Sequence, residues 1–316
     1  MGTETPSLRV TGRNGAGTSG PGRAAGRERT DMTGKNDDGT TDPVITGPAL
    51  LFAPATRPER FARAAECSDM VILDLEDGAG SVSREEGRRN IVASGLDPRR
   101  TMVRVCGPQD PGFADDVSAI RETGYRTVIV PKVTDRIPDE VRGFRVIALI
   151  ETPQAVLGLG ALAADPDVVG LYWGAEDLCA YLGGTHSRLQ PDEGAPEDRP
   201  GRYRDIMLMA RSLMHMHAAA VGKFTVDAVH ADFTDDRGLY EEAADAARSG
   251  FAATACIHPR QIEVVRRAYT PEPGQLDRAR RIVEEARRHP GAFKIDGEMI
   301  DAPLIAQARR LVARAG

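Results

Sequence analysis

Cysteine is scarce. The 316 residues hold four, Cys67, Cys106, Cys179 and Cys256, far apart and never in a C-x-x-C pair. That spacing excludes a zinc ribbon and a disulfide framework, and it fits reduced thiols buried as small hydrophobes. Aromatic residues are also few, at 5%, so a core must be built from Ala, Val, Leu and Ile. Positive charge is not in surplus: 41 basic residues stand against 47 acidic ones, a net charge of -6. Nucleic acid, whose binding needs concentrated positive charge, is therefore not an expected partner. No apolar run approaches the roughly 20 residues that span a bilayer. No basic start is followed by an apolar stretch and a small-residue cleavage site, so no membrane or secretory role is expected and the cytoplasm is the expected location. There is no G-x-x-x-x-G-K-[ST] loop to support ATP use. A literal G-x-G-x-x-G at Gly15, Gly17 and Gly20 has no strand before it and no helix after it, and so fails as a dinucleotide site.

What is present is enough apolar residue, 41% of the chain, to bury a sizeable core. Residues 1–45 carry little of it and read as a disordered tail, with Met32 a candidate native start. From residue 48 short apolar runs alternate with charged, Ala-rich stretches. The runs 48–53, 70–75, 101–106, 127–131, 145–150, 168–173, 223–229 and 252–257 read as buried strands. Helices are expected at 58–66, 84–94, 113–122, 153–163, 203–220, 236–249 and 259–268, with little room for one in 135–143. Eight such units predict an α/β fold, a (β/α)8 barrel over 46–270. A doubly wound open sheet would need a glycine-rich turn after its first strand, and Pro54-Ala55-Thr56-Arg57-Pro58 is not one. Residues 271–316 form an extension outside the repeat: a helix at 274–289, a hairpin at 291–297 and a helix at 303–315. This piece is expected to cap a barrel mouth or reach a neighbouring subunit.

Barrel enzymes place their chemistry at the C-terminal ends of the strands. Here those ends carry Asp74-Leu75-Glu76-Asp77, Arg104, Lys132, Glu151, Gly174-Ala175-Glu176-Asp177 and His258. Glu151 and Asp177 follow adjacent strands. Each alone is explained by capping the helix that follows; together they suit Mg2+, which takes oxygen ligands and keeps room for water and substrate. Arg104 offers a fork for a carboxylate, or else a structural bridge to Glu76 or Asp77. Cys106, with no histidine placed beside it, reads as packing rather than as a nucleophile. Met207, Met209, Met214 and Met216 read as core or subunit contact. The polar loop 183–202 reads as a lid in its first half.

Several of these segments, taken in order, carry a resemblance. Leu51-Phe52-Ala53-Pro54-Ala55-Thr56-Arg57-Pro58, Asp74-Leu75-Glu76-Asp77-Gly78, Pro131-Lys132, Glu151-Thr152, Trp173-Gly174-Ala175-Glu176-Asp177-Leu178, Cys256-Ile257-His258-Pro259 and Gly297-Glu298-Met299-Ile300-Asp301-Ala302-Pro303 resemble the motifs of the citrate lyase beta-subunit-like family, within the HpcH/HpaI aldolase/citrate lyase superfamily. The resemblance implies a (β/α)8 barrel, assembled as a homotrimer, that acts on a small acyl-CoA and a 2-oxo acid. It implies Mg2+ on Glu151 and Asp177. It implies a 2-oxo acid held by Arg104 and the segment Gly174-Ala175-Glu176-Asp177. Asp301 becomes the acid/base, delivered over the mouth of a neighbouring subunit. Glu76, Asp77 and Lys132 become groups that orient water and the arginine. Two positions depart from the family pattern: Cys106 where Asn is frequent, and Thr134 where Glu is common.

The function expected on these grounds is a Mg2+-dependent carbon–carbon lyase acting on a 3-hydroxyacyl-CoA such as malyl-CoA or citramalyl-CoA. Three alternatives stay open: a citrate lyase beta subunit working on a carrier-bound citryl group, a CoA-independent pyruvate aldolase, and a non-catalytic barrel scaffold.

Overall fold

A computed structural model of the chain describes residues 44–77, 84–193 and 201–314. The expected tail, the candidate start at Met32, Gly78 and the stretch 194–200 of the polar loop lie outside the described residues. Eight parallel strands close into a barrel in chain order: β1 (Ala49–Pro54), β2 (Met70–Asp74), β3 (Thr101–Arg104), β4 (Thr127–Val130), β5 (Arg145–Ile150), β6 (Val168–Trp173), β7 (Phe224–Asp227) and β8 (Ala253–Cys256). All eight expected strands are present, three at the length of their apolar runs and five of them one to three residues shorter.

The closure follows from side-chain alternation. Successive residues of a strand face opposite sides of the sheet. In β1, Leu50 turns into the barrel, whereas Leu51 and Ala53 turn out towards the helices. The inward set, including Met70, Ile72, Met102, Ile129, Ile147 and Leu149, fills the interior. Val44, just before β1, joins this inner cluster. The outward set packs on the helices. With both faces covered, these strands read as unbroken apolar runs in the sequence.

The helices are α1 (Phe61–Cys67), α2 (Arg84–Val92), α3 (Phe113–Arg121), α4 (Pro153–Leu157), α5 (Leu159–Ala164), α6 (Ala175–Tyr181), α7 (Asp205–Ala220), α8 (Asp236–Ser249) and α9 (Arg260–Tyr269). Two details correct the sequence reading, and the short connection after β4 agrees with it. The helix expected over 153–163 is two, broken at Gly158, where a Cβ would lie 2.7 Å from the Cα of Asp135. Between β4 and β5 there is only a 3-10 turn, Asp139–Val141. The short helix α6 was not anticipated. Of the methionine group, Met207 and Met214 are buried in the core, whereas Met209 and Met216 are more than half exposed on the outer face of α7.

Beyond the barrel, α10 (Pro273–Arg288) packs against α11 (Ala302–Arg314), with β9 (Phe293–Ile295) and β10 (Glu298–Ile300) paired antiparallel between them. The hairpin therefore runs past the expected 291–297 and turns at Asp296-Gly297, both with positive φ. Its core is a separate cluster of Ala279, Ile282, Ile295, Ile300 and Ala308. No helix among the described residues is long and apolar enough to cross a membrane.

One packing feature bears on the site above it. Gly170, an inward position of β6, leaves the space that the Phe224 ring of β7 occupies, and a Cβ there would land inside that ring. Gly170→Ala is expected to destabilise the fold by about 1–3 kcal/mol, the usual cost of overpacking a filled interior. Urea unfolding compared with the parent chain checks this, and an unchanged midpoint would contradict the packing described here.

Candidate active site

The C-terminal ends of the strands open into a cavity of about 930 Å3. Its charged wall begins with β2 and β3. Asp74 and Arg104 are register partners in the parallel sheet, both turned inward. Arg104 Nε donates to Asp74 Oδ1 at 2.7 Å and Nη2 to Asp74 Oδ2 at 2.9 Å. Its Nη1 also lies 3.1 Å from Glu76 Oε2, and Nη2 3.8 Å from Asp77 Oδ2. The guanidinium sits 4.7 Å above the Phe52 ring. Burial alone would disfavour the Arg104 cation, but Asp74 and Glu76 outweigh it and hold its pKa above the ordinary arginine value. The main partner is thus Asp74, not the Glu76 or Asp77 expected from the motif. The bidentate bond leaves donors on both Nη atoms for an anion in the cavity.

Lys132, just beyond β4, is a non-glycine residue with φ 52°, in the left-handed region. This backbone turns its N–H to Glu151 Oε1 at 2.8 Å. Its Nζ reaches Glu76 Oε1 at 2.6 Å and stands 3.6 Å from Asp177 Oδ1. Burial opposes the Lys132 charge, but the Glu76 hydrogen bond and the surrounding acids hold its pKa above the ordinary lysine value. Burial pushes the Glu76 carboxyl up, and Arg104 and Lys132 offset part of that.

Glu151 follows β5 and is 2% exposed. Burial, with the charges of Glu76 and Asp177, pushes its carboxyl up to about 8. Its neighbour Gly174 has no side chain for a reason of space: a Cβ would sit 2.7 Å from Glu151 Oε2. Ala175, Glu176 and Asp177 open α6 and line the same cavity. Glu176 accepts from Ser187 Oγ at 2.7 Å. That bond bears on the expected lid. Ser187 is tied to Glu176, and Arg188 is paired with Glu242 and stacked on Tyr203. The described first half of the loop is fastened to the barrel, a correction to the lid reading.

The structure therefore brings together Arg104, Glu151, Gly174, Ala175, Glu176, Asp177, Glu76, Asp77 and Lys132. Asp301 is not among the cavity-lining residues of its own chain: it is exposed at the start of α11, where its Oδ1 accepts from Leu304 N at 3.4 Å. Cys106 is buried, its N–H bonded to Asp116 Oδ2 at 3.0 Å, and burial together with Asp116 raises its thiol pKa, as expected of a packing residue. Sequence reasoning missed Arg60 and Arg63, which line the mouth one helical turn apart after β1. It also missed Tyr172, an inward residue of β6 that lines the cavity. Strand parity counted back from Gly174 was the available signal for the tyrosine. Burial keeps that phenol neutral by raising its pKa.

The profile of the HpcH/HpaI aldolase/citrate lyase family matches residues 49–259, the whole of the barrel from β1 onward. A citrate lyase subunit beta-like protein of Mycobacterium tuberculosis H37Rv is 43% identical over 271 residues, 85% of this chain and 96% of that one. The mitochondrial citramalyl-CoA lyase of Homo sapiens is 26% identical over 304 residues, 84% of this chain and 85% of that one. The crystal structure of CitE from Mycobacterium tuberculosis in complex with magnesium, acetoacetate and coenzyme A superposes with a TM-score of 0.76 at 43% identity, over 86% of this chain and 99% of that one. With the family profile matched from β1 through β8 and a 43% identical relative spanned over 96% of its length, the chain belongs to the HpcH/HpaI aldolase/citrate lyase family of enzymes.

Proposed function

We propose that the chain is a Mg2+-dependent carbon–carbon lyase that cleaves, or in reverse forms, a small 3-hydroxyacyl-CoA, with a 2-oxo acid and a thioester such as acetyl-CoA as the two fragments. The observation that carries this reading is the meeting of Arg104 with Glu151 and Asp177 in one cavity: an anion fork beside two carboxylates. That a 43% identical protein is seen with magnesium, an oxo acid and coenzyme A supports it.

The residues present fit the metal. Among the described residues no group of three or more His, Cys, Asp or Glu forms a complete cage. Mg2+ does not need one, because it is usually held by one or two carboxylates and fills its octahedron with water and substrate. Glu151 is a buried acid under excess negative charge, which a divalent cation relieves, and Gly174 keeps its Oε2 uncovered. Glu151 and Asp177 would hold the ion. Bound there, Mg2+ supplies a Lewis acid that stabilises charge on the acid's oxygens as the carbonyl forms.

The chain's own groups do the rest. Arg104, anchored by Asp74, holds the acid's carboxylate through its Nη donors and fixes the angle of the breaking bond. Lys132 keeps Glu76 in place behind Arg104 and turns its N–H to Glu151. Gly174 and Ala175 let backbone approach the acid. Arg60 and Arg63 at the mouth suit the phosphates of CoA. In cleavage the hydroxyl gives its proton to solvent entering at the cavity mouth, and the carbon–carbon electron pair stays on the carbon beside the thioester. Asp301 of a neighbouring copy in a homotrimer returns a proton to that carbon. In the reverse direction Asp301 removes it.

Two experiments test this. Calorimetric titration with glyoxylate, pyruvate and oxaloacetate is expected to show binding of at least one acid with Mg2+ and none after EDTA. Glu151→Gln should lower Mg2+ affinity on the order of a hundredfold, the upper end of what losing even an outer-shell partner costs. Equal binding with and without the metal would refute the site. Separately, Asp301→Asn and Arg104→Ala should each abolish turnover, and mixed, re-assembled oligomers of the two should recover part of it. Recovery shows that Asp301 acts across subunits, and full activity in Asp301→Asn alone rules out its role.

A further inference from the structure

Among the described residues four tyrosines are nearly fully buried: Tyr125, Tyr172, Tyr203 and Tyr269. A buried phenol ordinarily finds a hydrogen-bond partner. Tyr125 bonds to Ser94, Tyr203 to the carbonyl of Val229, and Tyr269 to Thr254. Tyr172 has no such partner among the described residues, yet its Oη is not among their buried unpaired atoms; it alone of the four lines the cavity, to which that oxygen is open. Its ring is held among the inward residues of the barrel, beside its register partner Leu149. Its hydroxyl lies within the electrostatic reach of Arg104, Glu151 and Asp74. The orphaned donor therefore faces the place where the acid half of a substrate meets the arginine.

We infer that Tyr172 contacts the substrate directly, its O–H donating to the carboxylate of the small acid held at Arg104. The inference rests on the function proposed above and adds a residue to it. A carboxylate has more acceptor sites than the two remaining Nη donors fill, and a neutral phenol adds a third hydrogen bond without adding charge. Phe52 and Leu149 line the cavity with it as apolar inward residues.

Tyr172→Phe removes the hydroxyl and nothing else. With Mg2+ present, the acid that the parent chain binds should bind about tenfold to a hundredfold more weakly, as expected for loss of a hydrogen bond to a charged group. Mg2+ titrated alone should bind unchanged. The thermal midpoint of the unliganded protein should stay level, because the variant loses no hydrogen bond within the described residues; a merely structural tyrosine would lower it. Equal acid affinity in parent and variant overturns the inference and leaves the lyase reading standing. A variant that loses stability or Mg2+ binding along with the acid also overturns it, by showing a structural role. A parent chain that binds no acid under any condition overturns both.

Discussion

Inside the C-terminal end of the barrel two cations, Arg104 and Lys132, stand among four carboxylates, Asp74, Glu76, Glu151 and Asp177. Neither cation can leave without setting like charges against one another where water is scarce, a cost that makes broken buried pairs far more damaging than exposed ones. Each cation is fastened from a different strand end, Arg104 by its register partner on β2 and Lys132 by Glu76 and a left-handed backbone. The wall is therefore rigid before any ligand arrives. It is also short of positive charge, and that shortage adds to the burial that lifts Glu151. A site with surplus carboxylate and an arginine beside it is prepared for a divalent cation and an anion bound together.

The barrel was legible in the sequence for a physical reason. Strands covered on both faces leave continuous apolar runs, and the acids and bases that break those runs mark the open ends. What was not legible depended on space rather than on pattern. The break at Gly158 comes from the approach of Asp135, a residue some twenty positions earlier. The helix α6 has seven residues, with its site acids in the first turn, and so lacks the length over which a helical period shows. The hairpin after α10 was placed early because its second strand, Glu298-Met299-Ile300, looked like the approach to the last helix.

For the site, residue types at strand ends were visible and pairings were not. Arg104 was matched in the sequence reading to Glu76 or Asp77; both stand beside it, but the sheet register makes Asp74 of the same motif its bidentate partner. Tyr172 was hidden inside the run Val168–Trp173, where a phenol looks like one more core residue until strand parity is counted against Gly174. Asp301 remains apart from the cavity of its own chain, so the role proposed for it calls for a second copy. Its place at the head of α11, beside the half-buried β9–β10 hairpin and Met299 at 65% exposure, leaves it free to be presented outward.

The plugged interior has a consequence for traffic. Phe224 fills the space below Gly170, and Val44 joins the cluster beneath it, so the cavity is blind at its lower end. Arg104 lies deep and nearly buried, whereas Arg60 and Arg63 are exposed at the rim. A dead-end chamber with one doorway behaves like a narrow shelf: what is stored at the back goes in first and comes out last. Under the proposed function, a small acid seated at the arginine is shut in by a larger thioester at the rim, and the barrel's architecture, rather than relative affinity, orders the arrival and departure of the two fragments.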